Sequence, residues 1–231
     1  KQKKIDRLLA QLEISTDTAY VNTLNDLSVN LADRDFDSAY SYAQEALARA
    51  RQYNYPKGEG TAFLNTGNCY FVKMDLMSAL QQYFKALRIL EPLGPSMDLE
   101  NLYFQMGFIN CLVPNNNRAF EFFHKTLNTS LAIGDTLWGG IGACYELTAY
   151  YWQCWKVENY HPEGSPLMDS AIIYSNLALQ LMPYDTIRNL DILVDGLAFN
   201  GLILSCLGKE EAFGQFKQAL HFAQKMQKSH G

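Results

Sequence analysis

The sequence predicts an all-α fold, a right-handed α-α superhelix of about five helix–turn–helix repeats behind an N-terminal capping helix. Three observations lead there. First, Phe63, Gly67, Tyr70, Ala79, Tyr83, Ala86 and Pro92 fall at spacings of 4, 3, 9, 4, 3 and 6. The short spacings put each set on one helix face, and Lys73-Met74-Asp75 reverses the chain between the two faces. Second, the pattern recurs. Ser28, Gly67, Gly107, Thr148 and Gly201 serve as equivalent anchors 39, 40, 41 and 53 residues apart. Third, each anchor is followed by small and aromatic residues at matching offsets: Ala39, Ala43 and Ala46; Ala79, Tyr83 and Ala86; Ala119 and Phe123; Ala171, Ser175 and Ala178; Ala212, Phe216 and Ala219. Small residues at these places allow two antiparallel helices to cross closely. One such unit cannot bury its apolar face alone, so the copies are expected to stack into one continuous domain over 1–231.

The elements follow in order. Ile5, Leu8, Leu9 and Leu12 make an amphipathic helix over 1–14, placed to cap the open end of the first repeat. The chain starts Lys1-Gln2-Lys3-Lys4 without Met or a signal-like run, the look of a processed, trimmed or interior fragment. Repeats are expected at about 16–54, 57–94, 97–134, 136–183 and 185–229. Ser15 to Thr18 supplies helix N-caps, Asp33-Arg34-Asp35 the first internal turn, and Asn54 to Gly58 the next connection. Leu93-Gly94-Pro95 ends the second repeat. The third contains Glu100-Asn101-Leu102-Tyr103-Phe104-Gln105, which matches the recognition sequence of a viral protease used to trim purification tags. It lies in frame with the repeat and leads directly to Gly107, so it reads as native helix. The fourth repeat carries an insertion at 155–167, with His161-Pro162-Glu163-Gly164-Ser165-Pro166 as loop composition, after an aromatic helix end at Tyr150, Tyr151, Trp152 and Trp155. The fifth ends in Lys225, Lys228 and His230 with no polar cap after it, as if the natural chain continued.

Composition narrows the function classes. The formal net charge of −5 disfavours nucleic acid as a partner. Apolar residues make up 48% of the chain, enough for a core, yet no run approaches the roughly 20 residues of a membrane span. The five cysteines (69, 111, 144, 154 and 206) form no metal-ligand spacing and fall in first helices, where a thiol packs as a small apolar group. His124 and His221 fall on second helices and are expected at the outer surface. No phosphate loop, nucleophile elbow or paired metal ligands occur. The expectation is therefore no catalytic residue, no metal and no cofactor.

The seven matched positions around Gly67 resemble a tetratricopeptide repeat, and the resemblance extends over nearly the whole chain. It implies a concave groove, lined by the first helices, that binds peptides or proteins. Carried over position by position, the lining is Asn22, Asn25 and Asp26 in repeat one, then Asn65, Asn68 and Phe71 in repeat two. Repeat three offers Asn101, Phe104, Gln105 and Phe108, repeat four Tyr145, Glu146 and Trp152, and repeat five Asp195. Asn and Gln would hydrogen-bond an extended backbone, and the aromatics would receive side chains; for Asn65 and Asn68, bonds between helices of the solenoid are the equal alternative. Family members that grip a terminal carboxylate use two Lys and one Arg beside an Asn. Here Asn25, Asn101 and Gln105 stand in the basic places and only Asn65 fits. The lining holds Asp26, Glu146 and Asp195 without Lys or Arg, which favours a neutral or basic protein segment.

A second resemblance rests on Lys4-Ile5-Asp6-Arg7-Leu8-Leu9, Asn25-Asp26-Leu27-Ser28 and Asp37-Ser38-Ala39. These look like the repeat regions of bacterial membrane-anchored sensor kinases and regulators. It implies a non-enzymatic sensing or scaffolding domain, extracytoplasmic (periplasmic) rather than cytoplasmic, with no membrane insertion of its own and compatible with an oligomer. A cytosolic scaffold or peptide-responsive transcription regulator is the alternative, and an enzyme with a site at 155–167 a third.

Overall fold

The computed structural model describes residues 2–112, 118–135, 139–157, 166–181, 190–206 and 208–229, with some side chains late in α8, early in α9, in α10 and at the end of α11 outside that description. Among the described residues the chain is helical without strands. Eleven α-helices run α1 Gln2–Ile14, α2 Asp17–Leu31, α3 Phe36–Gln52, α4 Pro56–Val72, α5 Leu76–Leu90, α6 Met97–Cys111, α7 Arg118–Ile133, α8 Ile141–Val157, α9 Pro166–Leu181, α10 Leu190–Cys206 and α11 Glu211–Ser229. A 3-10 turn, Glu91–Leu93, follows α5. The helices fall in the predicted alternation. Of the insertion expected at 155–167, residues 155–157 and 166–167 belong to α8 and α9, and 158–165 lie outside the described residues. The internal turn that the sequence predicts for the third repeat at Pro114-Asn115-Asn116-Asn117 also lies outside them.

Local chemistry explains the boundaries. Asp35 and Asp75, forty residues apart, accept from the backbone N–H of Ser38 and Ser78, each at 3.1 Å, and so start α3 and α5. Ser96 accepts from Leu99 N–H at 3.3 Å to start α6. Pro56 opens α4 at the position where a missing N–H costs nothing. Gly94 and Gly134, again forty residues apart, take φ of 89° and 72° where the chain leaves α5 with its 3-10 turn and α7. The sequence period therefore reappears in the caps and turns.

Contacts group the chain into two compact units, Lys1–Asn116 and Asn117–Gly231. In the first, α4 packs against α2, α3, α5 and α6. The first helices α2, α4 and α6 form one layer, and the second helices α3 and α5 lie on its other side. Ile5 and Leu8 of α1 are buried against Leu27, flanked by Leu12, Leu31 and Tyr42. The centre is the crossing of α4 and α5. A Cβ added at Gly67 would run into the ring of Tyr83. Tyr83, Ala79 and Ala86 are wholly buried.

In the second unit α8 packs on α7 and α9, and α10 on α9 and α11. Gly201 of α10 faces Phe216 of α11, which repeats the Gly67–Tyr83 geometry. The aromatic end of α8 joins three helices. Tyr151 stacks on Tyr174 with centroids 5.7 Å apart, and Phe120 lies 5.4 Å from Tyr150 and 5.5 Å from Tyr151. His124 departs from the surface position expected for it. It is half-buried against Phe120 and Tyr174, with Tyr174 Oη 3.3 Å from its Nε2, and burial pushes its pKa down. Second-helix residues that face the next first helix are covered by it, which is why His124 is enclosed and His221 is exposed.

Candidate functional site

The first-helix layer of the first unit carries most of the predicted lining. Its amides divide into two groups. Asn65 donates through Nδ2 to the main-chain O of Asn25 at 3.0 Å and to its Oδ1 at 3.1 Å. Asn25 in turn donates to Gly58 O at 3.2 Å. Both are buried, so this ladder ties α2 to α4 and is not on offer to a ligand. Asn25 is thus corrected from a groove residue to a packing residue, and for Asn65 the bond between helices is the alternative that holds. A buried amide has to be satisfied where it sits, and here the neighbouring helix satisfies it. Asn68 is different. Its Oδ1 accepts from Tyr83 Oη at 2.8 Å, while its half-buried Nδ2 has no partner among the described residues.

Asn101 and Gln105 stand one turn apart on α6, their side-chain amides 3.5 Å from each other, Asn101 exposed and Gln105 half-buried. Phe108, 37% exposed, meets Phe71 of α4 edge to face at 5.9 Å. Phe104 is half-buried on the same helix. The layer therefore presents an aromatic pair with amides beside it.

The electrostatics were only partly visible in sequence. Asp26 of α2 is exposed yet partly desolvated, which raises its pKa; the charge of Lys4 opposes the shift and that of Asp98 adds to it more weakly. Asp98 of α6 accepts a hydrogen bond from Thr61 of α4 at 3.1 Å. Tyr55, just before α4, donates to Asn22 of α2 at 3.1 Å, a bond between residues 33 positions apart. The layer thus carries one carboxylate on α2 and another on α6. Sequence reasoning missed Asp98, because an acidic residue in the first turn of a helix reads as a dipole partner.

In the second unit Tyr145 is half-buried on α8, and its hydroxyl occupies the space where a Cβ at Gly196 of α10 would stand. It wedges two first helices together, and the absence of a side chain at Gly196 is what admits it. Glu146, half-buried beside it, has its carboxyl pushed up by burial. The side chains of Trp152 and Asp195 lie outside the described ones. Of the cysteines expected to be buried, Cys69 and Cys144 are, and burial raises the Cys144 thiol to about 12. Cys111 and Cys206 are exposed, since both sit in the last turn of a first helix, beyond the cover of the second. No group of three or more His, Cys, Asp or Glu side chains converges on a metal-sized site among the described residues. No helix there is long and apolar enough to cross a membrane.

No family model matches this chain, and no curated protein does. Among solved structures it is similar to the crystal structure of BtubC (BKLC) from P. vanneervenii, with a TM-score of 0.67 at 15% identity, covering 99% of this chain and 89% of that one. A likeness at that identity concerns the fold alone.

Proposed function

We propose that the chain is a non-enzymatic tetratricopeptide-type module, coiled as a right-handed superhelix, whose first-helix face binds an extended protein segment of neutral or basic character. The observation that carries this reading is the face of the first-helix layer on which Phe71 and Phe108 meet edge to face, with Gln105 one turn from Phe108 and carboxylates on α2 (Asp26) and α6 (Asp98). Carboxylates on that face attract a cationic segment. Asn68, Asn101 and Gln105 then serve the segment's backbone, and Phe71 with Phe108 receives an apolar side chain. The resemblance to sensor-kinase and regulator repeat regions makes the role sensing or scaffolding, on the extracytoplasmic side.

The test is titration of a labelled basic peptide, acetyl-Lys-Leu-Lys-Leu-Lys-amide, against wild type, Asp26→Asn, Asp98→Asn and Asn68→Ala, with melting curves alongside. Asp98→Asn keeps an acceptor for Thr61, so the fold is retained. Each charge removal should weaken binding, and Asn68→Ala should cost about 1–3 kcal/mol. Affinity untouched by both Asp variants would end the groove reading.

A further inference from the structure

The opposite side of the same unit has the opposite charge. Between the second helices α3 and α5, over α4, lies a cleft of about 480 Å³. Phe63 and Thr66 of α4 form its floor, and Leu47 and Ile89 add apolar wall. Three cations line it: Arg51 near the end of α3, and Lys85 and Arg88 one turn apart on α5. No carboxylate is among its lining residues. Glu59 pairs with Arg51 at 2.8 Å and offsets one charge. Lys85 contacts only the Gln82 amide and the Phe63 ring among the described residues, and Arg88 has no anionic partner there.

The cations are held in place. Arg51 Cζ and Lys85 Nζ each lie 5.5 Å from the centroid of Phe63, one from each wall. That contact keeps the charges over the floor before any ligand arrives, which lowers the ordering cost of binding. Each wall also carries a glutamine. Gln44 donates to Thr66 at 3.2 Å and keeps its carbonyl oxygen for another donor. Gln82 accepts from Lys85 at 3.4 Å and keeps its N–H groups.

We infer that this cleft binds an acidic peptide segment, with carboxylates on either side of an apolar side chain. The carboxylates meet Lys85, Arg88 and Arg51; the apolar side chain rests among Leu47, Phe63 and Ile89; the glutamines take main-chain N–H and C=O. A small anion would leave the apolar floor and the glutamines unused. A long polyanion would meet the repulsion of a chain whose formal net charge is −5. A short segment feels chiefly the charges within about 10 Å. The proposal does not depend on the groove reading, because it uses α3, α5 and a different set of α4 residues, and the other sign of charge.

The experiment follows the fluorescence anisotropy of labelled acetyl-Glu-Glu-Leu-Glu-Glu-amide titrated with the full chain, at low and high salt. Expected are saturable binding that weakens with salt, a roughly tenfold or greater loss in Lys85→Glu/Arg88→Glu, and weak binding of the Gln-Gln-Leu-Gln-Gln peptide. Both altered side chains are exposed, so the double variant should keep its melting temperature; if it does not, Arg88→Ala alone takes its place with a smaller loss in the same direction. Unaltered binding by the folded variant overturns the proposal, as does equal binding of the Gln peptide. Displacement of the peptide by an equal concentration of inorganic phosphate would reduce the cleft to a small-anion site and overturn it too. So would an affinity that rises in Asp98→Asn without falling in the Lys85/Arg88 variant, which would put the peptide on the first-helix face.

Discussion

The second and fifth repeats spell the same pattern and hold it with different strength. Gly67 precedes Ala79, Tyr83 and Ala86; Gly201 precedes Ala212, Phe216 and Ala219. In both, a glycine of the first helix faces an aromatic ring of the second. Tyr83 is 0% exposed and its hydroxyl is held by Asn68, whereas Phe216 is 40% exposed and has no polar atom to anchor. The second repeat is also packed by α3 and by α6, while α11 packs against α10. The motif sets how closely two helices cross. What covers the ring decides how much that crossing is worth.

The widest margin is expected in proteolysis. Glu100–Gln105 lies within α6, and Leu102 and Tyr103 are buried. A protease that needs an extended strand must wait for α6 to open, which should slow cutting after Gln105 by roughly a thousandfold relative to unfolded chain. Gel analysis of native and urea-treated protein measures it. Rapid native cleavage would mean that the first unit opens locally as readily as a chain end, and the contrast between repeats would lose its basis.

Gly67→Leu comes next. Any side chain there meets the enclosed Tyr83 ring, so overpacking should lower the unfolding free energy by about 3 kcal/mol. Urea denaturation of Gly67→Leu, Tyr83→Ala and the double variant gives the coupling. Additive effects would show that the two residues do not share a crossing.

Tyr83→Phe keeps the ring and removes the bond to Asn68. It should cost about 1 kcal/mol, and it leaves the Asn68 amide free of its internal partner. A neutral result would assign the ring's burial, and not its hydroxyl, the whole difference between the repeats.

Gly201→Ala should do least. The new Cβ would sit 3.0–3.2 Å from Phe216, tight, but that ring is at the surface and can swing away. Alanine's better helix propensity, about 1 kcal/mol over glycine, offsets the contact, so the net change should stay within about 0.5 kcal/mol. A loss as large as that of Gly67→Leu would show that burial of the opposing ring is not the deciding quantity.

The helices, their forty-residue period and the apolar face of α1 were legible because they rest on local spacing: apolar periodicity, small residues at crossings, Asp and Ser at helix starts. The candidate site was legible only as a set of positions. Asn25 and Asn65 looked like groove amides and turned inward, because each found its partner on a helix about forty residues away. Asp98 was hidden in a first turn, and Arg51, Lys85 and Arg88 carried no pattern in the sequence that would single them out. Their common cleft exists only because α3 and α5 lean on α4 from two sides.

By itself the sequence determined the elements, their recurrence and the glycine crossings at Gly67 and Gly201, since each copy is written in residues spaced by a few helical turns. The tertiary structure alone decided which rings are enclosed, which amides are spent between helices and which charges share a face. Those are properties of neighbours about forty residues away along the chain, brought together by the stacking of layers, and no local spacing encodes them.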